Sequence, residues 1–501
     1  MTPGSKELDG YVSPLAGRYA SARMQSIWSA RRKFETWRRI WLAVAEAQHE
    51  MGLSVTAEQV AELRGNLDVT EADLELAAKY ERELRHDVMA HVHAWGDRCP
   101  TARGIIHLGM TSQDINDNCE LELIDEAAHL ILERSQRLLL AMVTAAERWK
   151  DVPTLGLTHY QPAQPTTVGR RLAMWANEFG LASEFAGPGV LRGLRGATGT
   201  CASFLRLFGG SAERVLEFES RVITRMLSDA STREQWAATL IESRSGEEAL
   251  SRFTLGPTGQ TYPRVVDAQV VSALSLSAAA LHKCAVDIRL LSNKRELEEP
   301  FGSSQVGSSA MPYKRNPMKC ERVCALCRFV MNLVGNTLET AATQWLERTL
   351  DDSANRRLVL AEAFLALDGA LVLMEEVIGG LVVNEKVVEK NLLAELPFLI
   401  TEAAMMEAVT LGRDRQEVHE AIRGHSMEAV RRIKEEGADN DLLDRLRKEP
   451  LLDGVDLDAL MDPSRHVGLA VEQTERFVAD HLPGLRERIG EHEAEEEGRG
   501  V

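Results

Sequence analysis

The stretch TSQDINDNCELELIDEAAHLILERSQRLLLAMVTAAERWKDVP runs from Thr111 to Pro153 and contains no glycine, and no proline before its last residue. Apolar side chains recur along it at helical spacing, with Ile124, Ile131 and Leu138 among them. An uninterrupted run with this period predicts one helix of about forty residues. The stretch therefore favours a helical fold class.

Three further runs repeat the pattern. The run between Pro263 and Pro300 is rich in serine and alanine, which let neighbouring helices approach closely and suit a helix in the middle of a bundle. Residues 318–350 are interrupted only by Gly335, and residues 354–378 only by Gly369. Aromatic residues make up 5% of the chain and strand-like alternation is rare, so the sequence predicts an all-α fold.

These runs predict three helical domains and a tail. A small N-terminal helical domain is expected over residues 1–110, a central long-helix bundle over 111–380, and a C-terminal helical domain over 381–490. The last residues, 491–501, are acidic and are expected to be disordered.

Composition restricts the class of protein. A formal net charge of -18 opposes nucleic acid and anionic membranes at long range, so neither is expected as a partner. Seven cysteines form no dense even framework and are expected to be reduced thiols. The start MTPGSKELDG has no basic segment followed by an apolar one, which makes the cytoplasm the expected compartment.

The loop predicted between two long helices is the most informative segment. Residues 299–317 read EPFGSSQVGSSAMPYKRNP and have no helical period, and a loop of this length in a compact protein is usually functional or disordered. Between Met311 and Arg357 there are eight Lys or Arg against five Asp or Glu. This local excess of positive charge predicts a basic pocket for anionic ligands.

Part of this loop resembles a family signature. GSSAMPYKRNP, residues 307–317, matches every fixed position of the pattern GSSxMPxKxNP of the fumarase/aspartase superfamily. Segments elsewhere resemble the adenylosuccinate lyase family within it. They are GRYAS (17–21), RHDVMAHVH (85–93), TSQD (111–114), THYQPAQPTT (158–167), TGQTY (258–262) and WLERTLDDSANRR (345–357).

The resemblance implies elimination of fumarate from adenylosuccinate and from succinylaminoimidazole carboxamide ribotide, in purine synthesis. Such an elimination needs a base for a carbon-bound proton, a pocket for a dianionic intermediate, and an acid for the departing nitrogen. By resemblance Ser308 is the base and His159 the acid. Lys314 and Asn316 are then implied to hold the succinyl carboxylates.

The resemblance also implies a nucleotide site without a phosphate-binding glycine loop of the GxxxxGK[ST] type, which is absent. Arginine forks can bind phosphate instead. The further substrate-binding residues implied are Arg18, Tyr19, Arg85, His86, Asp87, Thr111, Ser112, Thr158, Gln260, Arg322, Arg348, Ser353 and Arg357. In the family these residues come from different subunits of a homotetramer built on the long helices, and no cofactor or metal is implied.

Other interpretations remain open at this point. A lone arginine on a helix is usually a solvated residue, and His159 alone could simply anchor a loop. A metal site at His86, Asp87, His91 and His93 is disfavoured because His91 and His93 point to different helix faces. Cys320, Cys324 and Cys327 have a cluster-like spacing, but they fall inside a predicted helix. 

Alternative functions are a sister lyase such as argininosuccinate lyase, or a helical scaffold without activity. Residues 228–253 exceed the corresponding family segment. They are interpreted as an extra surface helix pair or as a regulatory or interface element.

Overall fold

The computed structural model describes residues 10–228, 252–302, 305, 307, 310–311 and 313–498, with side chains through Gly490. The chain is mostly helical, as predicted. After a short π-helical turn at Leu15–Tyr19, the elements in chain order are α1 Ala22–Ile27, α2 Ala30–Glu50, α3 Ala57–Arg64, α4 Glu71–Leu84, α5 Asp87–Arg98, α6 Ser112–Arg148, β1 Pro153–Thr158, β2 Gln161–Thr167, α7 Val168–Ala182, α8 Ala202–Leu207, α9 Ala212–Ser228, α10 Val265–Asn293, β3 Leu297–Glu298, α11 Met318–Ala342, α12 Asp352–Gly379, β4 Val382–Val383, α13 Glu385–Leu399, α14 Thr401–Thr410, α15 Arg415–Glu436, α16 Leu442–Leu446, α17 Leu457–Leu460 and α18 Ala470–Gly498.

The long helices agree with the sequence pattern. Helix α6 covers 37 residues of the Gly- and Pro-free stretch, and α10 covers 29 residues of the serine- and alanine-rich run. The third run ends earlier than predicted, because α11 stops at Ala342 instead of continuing to Leu350. A turn follows in which Leu346 adopts a left-handed conformation with φ 45°.

The N-terminal helices begin at residues that satisfy their free backbone N–H groups. Ser21 and Ser29 accept from the backbone N–H of the third helical residue in α1 and α2. Thr56 and Thr70 form reciprocal capping boxes with Gln59 and Asp73 at the start of α3 and α4. Each cap stabilises its helix by about 1 kcal/mol.

The chain divides into two compact units, each built from separate stretches. The first combines residues Met1–Arg134, Ser183–Ala279 and Ala325–Val372, and the second combines Ser135–Ala182, Ala280–Cys324 and Leu373–Val501. This division does not follow the three sequential domains, which stay a prediction.

Each of the two units buries tryptophan side chains in its core. In the first unit Trp41 stacks on Trp95 with ring centroids 5.8 Å apart, and Trp37 meets Trp41 edge-on at 5.9 Å. In the second unit Trp175 is buried, and its indole N–H donates to an Asp287 carboxylate oxygen at 2.8 Å. Burial of an indole is favourable when its polar N–H is satisfied in this way.

The strands form two small antiparallel sheets. β1 and β2 pair from Pro153↔Thr167 to Thr158↔Gln161, with an irregularity between Leu155 and Gly156. β3 and β4 pair over two residues each. The sequence did not predict the β1–β2 hairpin.

The C-terminal helices have a core cluster of their own, which includes Leu396, Ile400, Val418 and Leu442. Helix α18 extends to Gly498 and so enters the range 491–501, which was expected to form an acidic tail. The side chains after Gly490 lie outside the described residues, so disorder of the tail stays a prediction. Most of the segment 228–253 also lies outside the described residues.

Helix α10 is the one candidate membrane span among the described residues by length and hydropathy, and 61% of its apolar window is buried in the protein. Core helices of globular proteins pass the same test. All seven cysteines are free thiols. Cys320, Cys324 and Cys327 are buried on α11, as predicted for packed helix positions.

Candidate active site

His159 lies at the tip of the β1–β2 hairpin. The strands are joined by two residues, His159 and Tyr160, with φ 53° and 59°. Two-residue hairpin turns of the primed type need positive φ at both positions and usually use glycine or asparagine there. Side chains with a Cβ are strained in this conformation, and such strain is concentrated at functional sites. The turn therefore presents an exposed imidazole on a short, fixed arm.

Tyr160 anchors this turn within the second unit. Its hydroxyl donates to the Leu290 carbonyl oxygen at 3.5 Å, and the Lys294 ammonium lies 5.8 Å from its ring centroid. A cavity of about 740 Å³ adjoins the hairpin and is lined by Thr158, Tyr160 and residues of α7 and α10. This volume is within the range of small-molecule sites.

The signature loop turns back on itself. The Asn316 side-chain amide donates to the Gly307 carbonyl oxygen at 2.9 Å, and the Lys314 backbone N–H donates to the Met311 carbonyl at 3.0 Å. A Cβ at Gly307 would lie 2.0 Å from the Lys314 carbonyl oxygen, so only glycine fits here. Ser308, the predicted base, lies outside the described residues. Lys314 is exposed.

The RHDV and TSQD segments meet in the first unit. Arg85 ends α4 in a left-handed conformation with φ 54°, and His86 then caps α5 by accepting from the Met89 backbone N–H at 3.3 Å. The other ring nitrogen of His86 lies 3.4 Å from the Ser112 hydroxyl. Since Thr111 precedes Ser112, the structure brings together four residues predicted from different segments.

The WLERTLDDSANRR segment joins the same unit. The Arg357 guanidinium lies 3.4 Å from an Asp87 carboxylate oxygen in an exposed ion pair. The Gln260 backbone N–H donates to the Glu347 carbonyl at 2.9 Å, and its side chain donates to the Ala197 carbonyl at 3.0 Å. The TGQTY segment thus lies directly against the turn before α12.

Three predicted substrate-binding residues, Arg348, Ser353 and Arg357, line one small polar hollow. Its free volume is about 20 Å³, room for one water molecule or one ligand oxygen. Among the described residues, Arg348 Nη1, Arg264 Nη1 and Asp352 Oδ1 are buried and lack a hydrogen-bond partner, and all three side chains line the hollow. Burial lowers the pKa of Arg348. An anionic oxygen in this hollow could accept hydrogen bonds from the buried N–H groups of Arg264 and Arg348.

The remaining predicted residues are placed as follows. Arg18 and Tyr19 lie on the π-helical turn. This turn packs closely against α12, since a Cβ added at Gly369 would lie 3.0 Å from the Tyr19 carbonyl oxygen. Arg322 is half-buried in the first turns of α11, and Thr158 is exposed at the end of β1. Thr158, His159, Lys314, Asn316 and Arg322 belong to the second unit, and the other described site residues belong to the first.

Two family models match the chain: lyase over residues 17–184 and 232–332, and adenylosuccinate lyase C-terminus over residues 397–477. The adenylosuccinate lyase of Schizosaccharomyces pombe is 43% identical over 94% of this chain and 95% of its own length. That of Saccharomyces cerevisiae has the same identity and coverage. That of Pyrococcus abyssi is 32% identical over 93% of this chain and 97% of its own length. The chain belongs to the adenylosuccinate lyase family.

Solved structures show the same fold. The 3-carboxy-cis,cis-muconate lactonizing enzyme from Pseudomonas putida matches with a TM-score of 0.78 at 23% identity, over 94% of this chain and 99% of its own. A fumarate lyase from Mesorhizobium sp. BNC1 matches with a TM-score of 0.74 at 23% identity, over 92% and 99%. This chain therefore has the all-α, fumarase/aspartase-like fold that the sequence predicts.

Sequence reasoning missed a set of buried charged residues in and near the adenylosuccinate lyase motifs. Arg264 donates to Asp352 at 2.7 Å and to Asp117 at 3.2 Å, and all three side chains are buried. Burial raises the pKa of Asp117, and Arg264 opposes that shift. Arg356 donates to Asp267 at 2.6 Å in the same unit. The signal in the sequence was weak, because the partners of these charges lie in segments far apart along the chain.

Among the described residues, no group of three or more His, Cys, Asp or Glu is arranged to hold a metal ion. His91 stacks on Phe34 at 3.7 Å, while His93 packs near Tyr80 with ring centroids 5.3 Å apart. The two histidines therefore face different neighbours, as their spacing predicted.

Proposed function

We propose that this chain is an adenylosuccinate lyase that eliminates fumarate from adenylosuccinate to give AMP. The observation that carries this function is the 43% identity to curated adenylosuccinate lyases over nearly the whole chain. The family's second elimination, of fumarate from succinylaminoimidazole carboxamide ribotide, belongs to the same proposal. Argininosuccinate and aspartate carry no phosphate, whereas the clustered Arg348, Ser353 and Arg357 suit a nucleotide.

Two groups would move the protons. Ser308 removes a proton from the carbon next to a succinyl carboxylate, and the electron pair of that bond spreads into the carboxylate. The carbon–nitrogen bond then breaks as the double bond of fumarate forms, and His159 gives a proton to the departing nitrogen. The position of His159 on an exposed hairpin tip supports this role, because a general acid must reach into a substrate site.

Positive and hydrogen-bonding groups would hold the anionic parts of the substrate. Lys314 and Asn316 are the residues assigned to the succinyl carboxylates, with the Lys314 ammonium neutralising the dianionic intermediate. The hydrogen bond from the Asn316 amide to the Gly307 carbonyl oxygen supports a fixed position for Asn316 within the loop. Arg348 and Arg357 are proposed to hold the phosphate, with the Ser353 hydroxyl as a further donor. Arg348 Nη1 supports this assignment, because it is buried without a hydrogen bond and lies 3.9 Å from its nearest carboxylate oxygen, on Asp352.

The assembly proposed is a homotetramer in which each active site takes residues from several subunits. The predicted residues fall into two compact units, which is compatible with sharing. Mixing an inactive Ser308→Ala variant with an inactive His159→Ala variant is then expected to restore partial activity. The cytoplasm is the compartment proposed, because all seven thiols are free, as in reducing compartments.

The deciding experiment incubates the purified protein with adenylosuccinate and measures AMP and fumarate together. Equal release of the two products is expected. Turnover of argininosuccinate or aspartate, with no AMP from adenylosuccinate, would assign the chain to a sister activity. No turnover of any of these substrates would favour the scaffold alternative.

A further inference from the structure

A buried carboxylate closes the base of the signature loop. Glu299 is the first residue of the loop 299–317 and is 5% exposed. Its two oxygens accept from the Lys319 backbone N–H at 3.1 and 3.0 Å, and one of them accepts from the Cys320 N–H at 3.1 Å. Lys319 and Cys320 lie in the first turn of α11, where backbone N–H groups lack helical partners. Glu299 thus supplies the cap that this helix needs.

The residue that caps α11 does not stand directly before the helix, as a capping residue usually does. Most helices are capped by a Ser, Thr, Asp or Asn directly before the first turn. Here the capping residue lies 20 and 21 positions before the two amides that it holds. A local cap stabilises only its helix, whereas Glu299 also fixes where the loop begins relative to where it ends.

Further contacts join residues near the start of the loop to residues near its end. Glu298 forms an ion pair with Arg315 at 3.2 Å, and the Arg315 guanidinium lies 5.4 Å from the Phe301 ring centroid. The Asn316 amide reaches the Gly307 carbonyl across the loop at 2.9 Å. The first part of the loop region is therefore joined to the last part by several separate contacts. The contact made by Glu299 is the buried one.

We propose that Glu299 is a positioning residue of the lyase reaction, acting through Lys314 and Asn316. Both residues lie near the end of the loop, within a few positions of the two backbone amides that Glu299 holds. The Glu299 carboxylate therefore sets the position of Lys314 and Asn316 in the site. The inference rests on the proposed function. Misplacing a catalytic group by about 1 Å can lower turnover roughly 100-fold, so a small shift at the loop base is sufficient.

The test compares Glu299→Ala and Glu299→Gln with the control Glu389→Gln, which removes an exposed carboxylate paired with Lys386 on α13. Glu299→Ala is expected to lower kcat about 10- to 100-fold. Calorimetric affinity for AMP should stay at the wild-type level, because AMP lacks the succinyl group. Glu299→Gln keeps one acceptor oxygen and should recover part of the loss. The control should match wild type.

Hydrogen exchange separates positioning from general destabilisation. In Glu299→Ala, peptides covering 313–321 should exchange faster, while those of the hairpin 153–167 should not change. Unchanged kcat in a folded Glu299 variant, or a parallel loss of AMP affinity and kcat, would overturn the proposal. If Glu299→Ala does not fold, the same criteria apply to Glu299→Gln. Wild type without lyase turnover would defeat the proposed function instead, and the exchange comparison would still decide whether Glu299 holds the loop.

Discussion

Replacing Asp114 by asparagine removes one charge at the start of α6 with almost no change in shape. Asp114 Oδ1 accepts from Arg192 Nη1 at 2.6 Å and from the backbone N–H groups of Arg195 and Gly196 at 2.9 and 3.0 Å. Asp114 Oδ2 accepts from the Thr111 N–H at 2.8 Å. The Asp114 and Arg192 side chains are both fully buried.

The expected destabilisation follows from what the amide cannot do. Asparagine keeps one acceptor oxygen, so its NH₂ group must face a backbone donor that the carboxylate satisfied. Arg192 would also lose its close counter-charge, since the next carboxylate, Asp117, lies 4.0 Å from its Nε. Removing one partner of a buried ion pair costs about 3–5 kcal/mol. The exposed pair Lys386–Glu389 provides the contrast, because breaking such a pair costs about 0–1 kcal/mol.

Urea unfolding followed by far-ultraviolet circular dichroism would measure both changes. Wild type, Asp114→Asn and Glu389→Gln should be compared at one protein concentration, because assembly stabilises by mass action. Asp114→Asn should lower the unfolding midpoint strongly, and Glu389→Gln should leave it nearly unchanged. Equal midpoints for the two variants would refute the idea that the buried pair holds the start of α6.

Three further outcomes are expected. Ser308→Ala and His159→Ala should each lower kcat roughly 10²- to 10⁴-fold in steady-state assays while calorimetry shows near-normal AMP affinity. Arg357→Ala should weaken AMP binding by about tenfold or more but leave adenosine binding unchanged, and equal losses for both ligands would contradict a phosphate contact. Burial lowers the pKa of His91 to about 4, so the unfolded state binds the extra proton between about pH 6.5 and 4, and stability should fall as pH falls through that window. His91→Phe should flatten this dependence in unfolding measured against pH, and an unchanged slope would count against it.

The long helices could be predicted because their signal is local. The stretch after Thr111 contains every feature that a helix needs within one window, and α6 follows it closely. The hairpin at His159 could not be predicted in the same way. Pro162 and Pro165 disfavour a strand, yet a strand in a two-stranded sheet needs N–H donors on only one side, so both fit.

The end of α11 and the buried charges depend on contacts far apart in sequence. No glycine or proline marks the stop at Ala342, where the chain instead turns to place the Glu347 carbonyl against the Gln260 N–H. Arg264 meets Asp352 and Asp117 across separations of 88 and 147 residues. A single charge on a helix is usually solvated, so burial of these three could not be inferred from their own segments. The family resemblance named candidate site residues in or near the same segments, but it did not indicate these buried charge pairs.

The interleaved build of the two units has a consequence for synthesis on the ribosome. Each unit needs three separate stretches, and the last stretch of the first unit ends at Val372 while that of the second ends at Val501. Neither unit can be completed while the first half of the chain emerges, although domains generally fold as units during translation. The nascent chain must therefore carry the unpaired apolar faces of α6 and α7 for most of its elongation. Fragments that end before Val372 complete neither unit and should accordingly depend on chaperones or aggregate.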